Sequence, residues 1–183
     1  YNIIYWASSL PDIKGVIVAS SDKAYGFSLK LPYTESMPLQ GGAVYASTKA
    51  CADLLSRSLA EALTVPLAIA RCANIYGPAD LNYSRIVPDT MRALVQGDRP
   101  TIRGNGLHER DLIYIDDAVS GYMKLAEYLE ESGARGEAFN FGTGKSMRMV
   151  DLVKKIPDVK INGEKPLCDQ VRSIYLQLIP EDE

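Results

Sequence analysis

The sequence predicts an α/β fold, part of a doubly wound parallel sheet, on three observations. Two apolar runs, "VIVA" at 16–19 and "LAIAR" at 67–71, are continuous rather than alternating, as in strands covered on both faces. Between them lies a helix-forming stretch, about 43–64, with no internal Gly or Pro. A third run, "AFNFG" at 138–142, follows another helix-forming segment, so strands alternate with helices long enough to cross over. Three such strands are fewer than a complete doubly wound sheet needs.

Taken in order, residues 1–10 form a helix closed by Pro11, and the first strand follows at 16–19. A loop rich in Pro, Gly and Ser runs to Gly42, then comes the long helix, stopped by Pro66. After the second strand, a loop with Gly77 and Pro78 leads to a helix over 84–96, closed by Gly97. Two short strands, "PTIR" and "DLIYI", flank the turn "GNG", and Asp116 or Asp117 caps a helix reaching about 130. The third sheet strand precedes a helix over 147–155, and from 157 onward no pattern stands out. There is no internal repeat and no low-complexity tract.

Bulk properties narrow the function. A chain of 183 residues, 46% hydrophobic and with a net charge of −3, can bury a core and needs no polyanionic partner. Its basic residues are scattered, which argues against nucleic acid, and no uncharged stretch approaches a membrane span. Cys51, Cys72 and Cys168 are odd in number and form no C-x-x-C pair, which suits a reducing cytoplasm and neither disulfides nor zinc. With His108 as the only histidine, a multi-histidine metal site is impossible. The chain opens at Tyr1 inside a helix, without the basic flank of a signal peptide, and is expected to be part of something longer.

The chemistry-bearing residues gather at one strand end. The run 16–19 leads directly into Ser20, Ser21, Asp22 and Lys23, and ligands bind at the carboxyl ends of strands in open α/β sheets. "YASTK" sets Tyr45 and Lys49 four apart on one helix face, where an ammonium favours phenolate and makes tyrosine a usable base. Taken alone, either feature also fits a solvated polar turn or an exposed Tyr–Lys pair. "GTGKS" at 142–146 is no ATP loop, because the position five residues before Gly144 is Phe139 rather than glycine.

A strand ending in Ser-Ser, then Tyr-x-x-x-Lys, then a strand running into "RCANIYGP", resembles the extended short-chain dehydrogenase/reductase family of nucleotide-sugar epimerases and dehydratases. The resemblance covers about 1–155 and implies the C-terminal part of a Rossmann-like sheet. Residues 1–80 would be a partial NAD-binding region carrying the catalytic residues. Residues 81–183 would be a small substrate-binding lobe, interleaved with a last sheet strand near 138–142. It implies NAD as cofactor, a nucleotide-diphosphate sugar as substrate, and a homodimer through the helices at 1–10 and 43–64. By the same resemblance, Ser21 bonds the sugar hydroxyl that is oxidised, Tyr45 takes its proton, and Lys49 holds the nicotinamide ribose. The Asp22–Lys23 pair is similar to that of the 4,6-dehydratases, closest to the CDP-glucose branch, with a protonated Asp22 as acid and a neutral Lys23 as base.

Further positions follow from the same pattern. Ile75 sits where backbone meets cofactor, and Asn74, Arg85, Ile86, Arg110 and Asn140 correspond to contacts with the sugar nucleotide; a guanidinium such as Arg110 suits diphosphate oxygens. The sequence departs from the family in lacking the Gly-rich pyrophosphate turn and the acid that holds the adenine ribose, and in carrying Val44 and Thr48 beside the tyrosine. Two competing readings remain: a 4-epimerase, disfavoured by Asp22–Lys23, and a self-associating piece without turnover.

Overall fold

The structure is a computed structural model and describes residues 1–156. In chain order its elements are α1 (Asn2–Ser8), β1 (Val16–Ser21), a short 3-10 helix (Asp22–Tyr25), α2 (Val44–Leu63), β2 (Leu67–Cys72) and β3 (Asn74–Tyr76). There follow α3 (Ile86–Gln96), β4 (Glu109–Tyr114), α4 (Ile115–Ser132), β5 (Arg135–Phe141), β6 (Ser146–Arg148) and α5 (Met149–Lys155).

The chain divides into two compact units. The first comprises Tyr1–Ala73 and Asp117–Gly142 and contains a parallel sheet in the order β1–β2–β5. Strand β2 is central, and all six of its residues are buried. Alternation sends Leu67, Ile69 and Arg71 to one face, where Ile4 of α1 and Ala60 of α2 complete an apolar cluster. On the other face Phe139 and Phe141 of β5 meet Tyr128 and Tyr122 of α4 edge-on. Gly121 of α4 sits against the Phe141 ring, where a Cβ would come within 2.8 Å of ring carbon. Between Leu67 and Ala68 the β2–β5 register slips past Gly136, which is left-handed at φ 76° and lies close to the α2 backbone at Arg57.

Helix α2 lies close on the sheet because its inward stripe is made of small residues: Ala46, Ala50, Asp53, Ser56 and Ala60. It ends where Thr64 turns left-handed, and Pro66 then prevents continuation into β2. The helix, which carries Tyr45 and Lys49 near its start, packs against the 3-10 helix after β1.

The second unit comprises Asn74–Asp116 and, of the described residues, 143–156. Strand β4 pairs parallel with β3 and antiparallel with β6. Tyr76, Val87, Met91, Tyr114, Leu152 and Ile156 form its core between the strands, α3 and α5.

Several expectations need correction. Among the described residues β1 has β2 as its strand neighbour and is half-buried along Val16–Val18 and exposed at Ala19, so cover on both faces is seen for β2 and not for β1. "PTIR" is not a strand, because β4 takes β3 and β6 as partners, and the 106–108 backbone instead accepts from Met149 and Val150 at the start of α5. Asp116 and Asp117 lie inside the first turn of α4, which begins at Ile115, rather than capping it. The helix expected from 147 begins at Met149, after a short strand that the sequence reading did not contain. The boundary falls after Ala73 rather than near 80, and α4 with β5 returns to the first unit, because their aromatic residues cover its sheet. The patternless tail from 157 lies outside the described residues.

The packing ranks substitutions. Ile69→Ala, in the fully buried central strand, is expected to cost about 2–5 kcal/mol, and Ile17→Ala on half-buried β1 clearly less. Denaturant midpoints of the two variants check the order; equal losses would contradict the deeper burial of β2.

Candidate active site

The site is built on the polar end of β1. As the strand stops, Ser21 caps the 3-10 helix: its Oγ accepts from Lys23 N at 3.3 Å and donates to Asp22 Oδ1 at 3.0 Å. Lys23 Nζ donates to Asp22 Oδ2 at 2.6 Å, so acid and amine are each other's counter-ion. Ser21 is buried, and the Asp22 and Lys23 side chains are 21% and 33% exposed, open enough for a ligand yet partly desolvated.

Tyr45 stands on the first turn of α2, 58% exposed, with Lys49 Nζ 5.9 Å from its ring centre. Lys49 Nζ also donates to the Ala19 carbonyl at 2.9 Å, which brings the helix pair to the same strand end as Ser21. That bond takes one of the three ammonium hydrogens, and the other two are free to meet ligand hydroxyls. An exposed phenol beside a cation with spare donors fits the nicotinamide ribose end of NAD, whose expected contacts in this unit are Tyr45 and Lys49.

Asn140 is placed otherwise than a free substrate contact. Its Oδ1 accepts from Tyr25 Oη at 2.6 Å and its Nδ2 donates to the Tyr33 carbonyl at 3.1 Å, so its amide fastens the 26–42 loop to β5. In the second unit Asn74 opens β3 and its Nδ2 donates to the Asp111 carbonyl at 3.4 Å, while Ile75 pairs with Ile113. Arg85 precedes Ile86 at the start of α3 and is ion-paired with Asp80 at 3.0 Å. Arg110 is exposed on β4, with Nη1 on the Glu109 carbonyl at 2.7 Å.

Sequence reasoning missed the polar frame behind these residues. Arg71, 1% exposed, gives Nε and Nη2 to the two oxygens of Asp53 at 2.8 and 2.9 Å. Its Nη1 reaches Tyr25 Oη at 2.8 Å and the Glu35 carbonyl at 3.2 Å. Burial works against the charged guanidinium, but Asp53 and Tyr25 outweigh it and raise its proton affinity. Ser20 Oγ donates to the same Asp53 carboxylate at 3.2 Å. The available signals were an acid one turn after Lys49, on the apolar face of α2, and an arginine ending an otherwise apolar strand. In the second unit Asp111 accepts from Thr143 N, Thr143 Oγ1 and Gly144 N, so "GTGKS" is a turn held by a carboxylate. Among the described residues, no group of three or more His, Cys, Asp or Glu side chains could hold a metal ion.

Residues 1–142 match the NAD dependent epimerase/dehydratase family, and the chain belongs to that family. Human dTDP-D-glucose 4,6-dehydratase is 32% identical over 144 residues, covering 79% of this chain and 40% of that protein. The solved dTDP-glucose 4,6-dehydratase of Bacillus anthracis, in complex with NAD, is similar with a TM-score of 0.76 at 25% identity, over 86% of this chain and 49% of that one. A UDP-N-acetylglucosamine 4-epimerase from Methanobrevibacter ruminantium gives 0.74 at 25% identity, over 92% of this chain and 64% of that one. The chain thus spans less than half the length of the dehydratases it matches.

Burial pushes the Cys72 thiol up, and burial together with the nearby Cys72 does the same to the Tyr122 phenol. Both groups are harmless to the fold while neutral, so each contribution is whole below that group's own ordinary range, thiol for Cys72 and phenol for Tyr122. It is lost as pH rises from there through the raised value. Alkylation mapped by mass spectrometry should find exposed Cys51 modified well before buried Cys72 at mildly alkaline pH. Equal rates would mean that β2 is not covered at its carboxyl end.

Proposed function

We propose that this chain supplies the oxidising and water-eliminating residues of an NAD-dependent nucleotide-sugar 4,6-dehydratase, a lyase forming the 4-keto-6-deoxy sugar. The observation that carries the reading is the Asp22–Lys23 pair at the end of β1, beside the strand end that Lys49 reaches. Simple epimerisation moves a hydride and needs no second acid and base. The family membership and the dehydratases among its relatives support the same choice. dTDP-glucose is the substrate to test first, given those relatives' names.

In this reading Ser21 bonds the carbon-4 hydroxyl and Tyr45 removes its proton, while Lys49 uses its spare hydrogens on the nicotinamide ribose. NAD, which Tyr45 and Lys49 would hold at its nicotinamide ribose, would supply a hydride acceptor for carbon-4 and a hydride donor for carbon-6. The ketone makes the carbon-5 proton acidic; Lys23 takes that proton as Asp22 protonates the departing carbon-6 hydroxyl, which leaves as water. Lys23 returns the proton to carbon-5 when the double bond is reduced. These roles need a neutral amine and a carboxylic acid, whereas the unliganded pair is ionic. One proton shifted along the 2.6 Å bond from Lys23 to Asp22 converts the pair into that form. A sugar that displaces water from the half-buried turn favours the neutral state.

Arg110 is assigned to the diphosphate, with Asn74, Arg85 and Ile86 along the nucleotide and Ile75 beside the cofactor. Self-association through α1 and α2 is supported by their exposed Ile3, Trp6, Leu54 and Leu55. The setting is cytoplasmic, in keeping with the unpaired cysteines; among the described residues no helix is long and apolar enough to cross a membrane.

The test uses the protein as its gene encodes it, with dTDP-glucose and NAD. Tyr45→Phe should lower turnover by about 10²–10⁴-fold. Asp22→Asn, which removes both the acid and the acceptor of the Lys23 proton, should leave cofactor reduction at carbon-4 in place while loss of water stalls. Product formation by Asp22→Asn at the original rate would move the 4-epimerase reading ahead. Arg110→Ala should weaken sugar-nucleotide binding far more than NAD binding in calorimetry, and equal losses would place Arg110 elsewhere.

A further inference from the structure

We propose that Arg71 is a positioning residue that sets two parts of the site independently: Tyr45 and Lys49 through Asp53, and Asp22 and Lys23 through Tyr25. This rests on the reading given above. The guanidinium is planar and presents separate edges, a geometry that a lysine ammonium cannot reproduce. One edge, Nε with Nη2, is spent on both oxygens of Asp53. The remaining nitrogen, Nη1, meets the Tyr25 hydroxyl and the Glu35 carbonyl.

Asp53 lies on the same face of α2 as Lys49 and Tyr45, one and two turns further along. A two-point bond to Arg71, with Ser20 on the same carboxylate, fixes both the rotation of α2 and its slide along β1 and β2. That register is what lets Lys49 reach the Ala19 carbonyl. Tyr25 closes the 3-10 helix that opens with Asp22 and Lys23. Its hydroxyl accepts from Arg71 and donates to Asn140, so the turn is tied to β2 and β5 at its far end. Stability alone does not require such an arrangement, since apolar residues can often replace a buried ion pair without loss. What the fork adds is a fixed distance and angle to two elements at once.

Acetic anhydride labelling of lysines, read by mass spectrometry on the whole protein, reports each branch without relying on turnover. Asp53→Asn should raise labelling of Lys49 severalfold and leave Lys23 near its original rate, with exposed Lys124 as reference. Tyr25→Phe should do the reverse, and Arg71→Lys should raise both. If Asp53→Asn does not fold, Ser20→Ala loosens the same carboxylate more gently and should shift Lys49 in the same direction. With sugar nucleotide, Asp53→Asn should slow cofactor reduction by about ten- to a hundredfold with little change in KM, as expected for misplaced groups. Tyr25→Phe should instead slow the loss of water. Absence of turnover in the unaltered protein would remove the dehydratase reading and leave the labelling pattern to decide the positioning role. A rise at both lysines in every variant, or at neither while the melting temperature falls, would overturn it.

Discussion

The buried pair between Arg71 and Asp53 is the constraint on which the first unit depends. Both side chains are fully withdrawn from water, so neither tolerates loss of the other: breaking such a pair typically costs about 3–5 kcal/mol. The guanidinium also lies 4.9 Å from the Tyr25 ring, which stacks on Tyr33 at 4.7 Å. Through these contacts a strand, a helix, a 3-10 turn and the 26–42 loop share one charged centre. Asn140 extends it to β5, with its backbone N on Glu35 Oε1 at 2.9 Å. A network this connected is stable only when every member is satisfied. Here each hydrogen bond of the centre joins different elements, so the interior polarity specifies placement as well as sequence does.

That frame bears on how the open groups beside it are held. Tyr45 is exposed and the Asp22–Lys23 turn half-buried, and such side chains are poorly fixed by packing. Their precision is inherited from the buried residues next to them in the chain. Asp53 follows Lys49 on α2, and Tyr25 follows Lys23 in the turn. The small inward stripe of α2 lets the helix approach closely enough for these bonds to form.

Much of this was legible in the sequence, for identifiable reasons. Continuous apolar runs marked β1 and β2, the largely apolar 138–142 marked β5, and absence of Gly and Pro marked α2, because these signals act locally. The polar end of β1 and the Tyr45–Lys49 spacing were also local. Strands β3 and β6 were missed because three residues carry no periodicity; they exist through pairing with β4. "PTIR" failed for the converse reason, with strand-like residues but no strand to pair with. Arg71, Asp53 and Glu35 escaped because their meaning lies in contacts between residues far apart in the chain. The bonds of the Asn140 amide to Tyr25 and Tyr33 were hidden for the same reason, since both partners lie far away in the chain.

The two polar systems of the first unit differ in a way that fits their tasks. The Arg71–Asp53 pair is sealed, bidentate and held by neighbours on every side, so a proton moved between its partners would strand two neutral groups among contacts arranged for charges. The Asp22–Lys23 pair is half-buried and joined by one short bond, with Ser21 its other named neighbour. Displacing water there removes what stabilises separated charge, and a single proton shift relieves the cost. In the proposed reading one pair stays ionised and the other is converted by what binds. On that reading the fixed register lies inside the sheet and the acid–base couple at its rim.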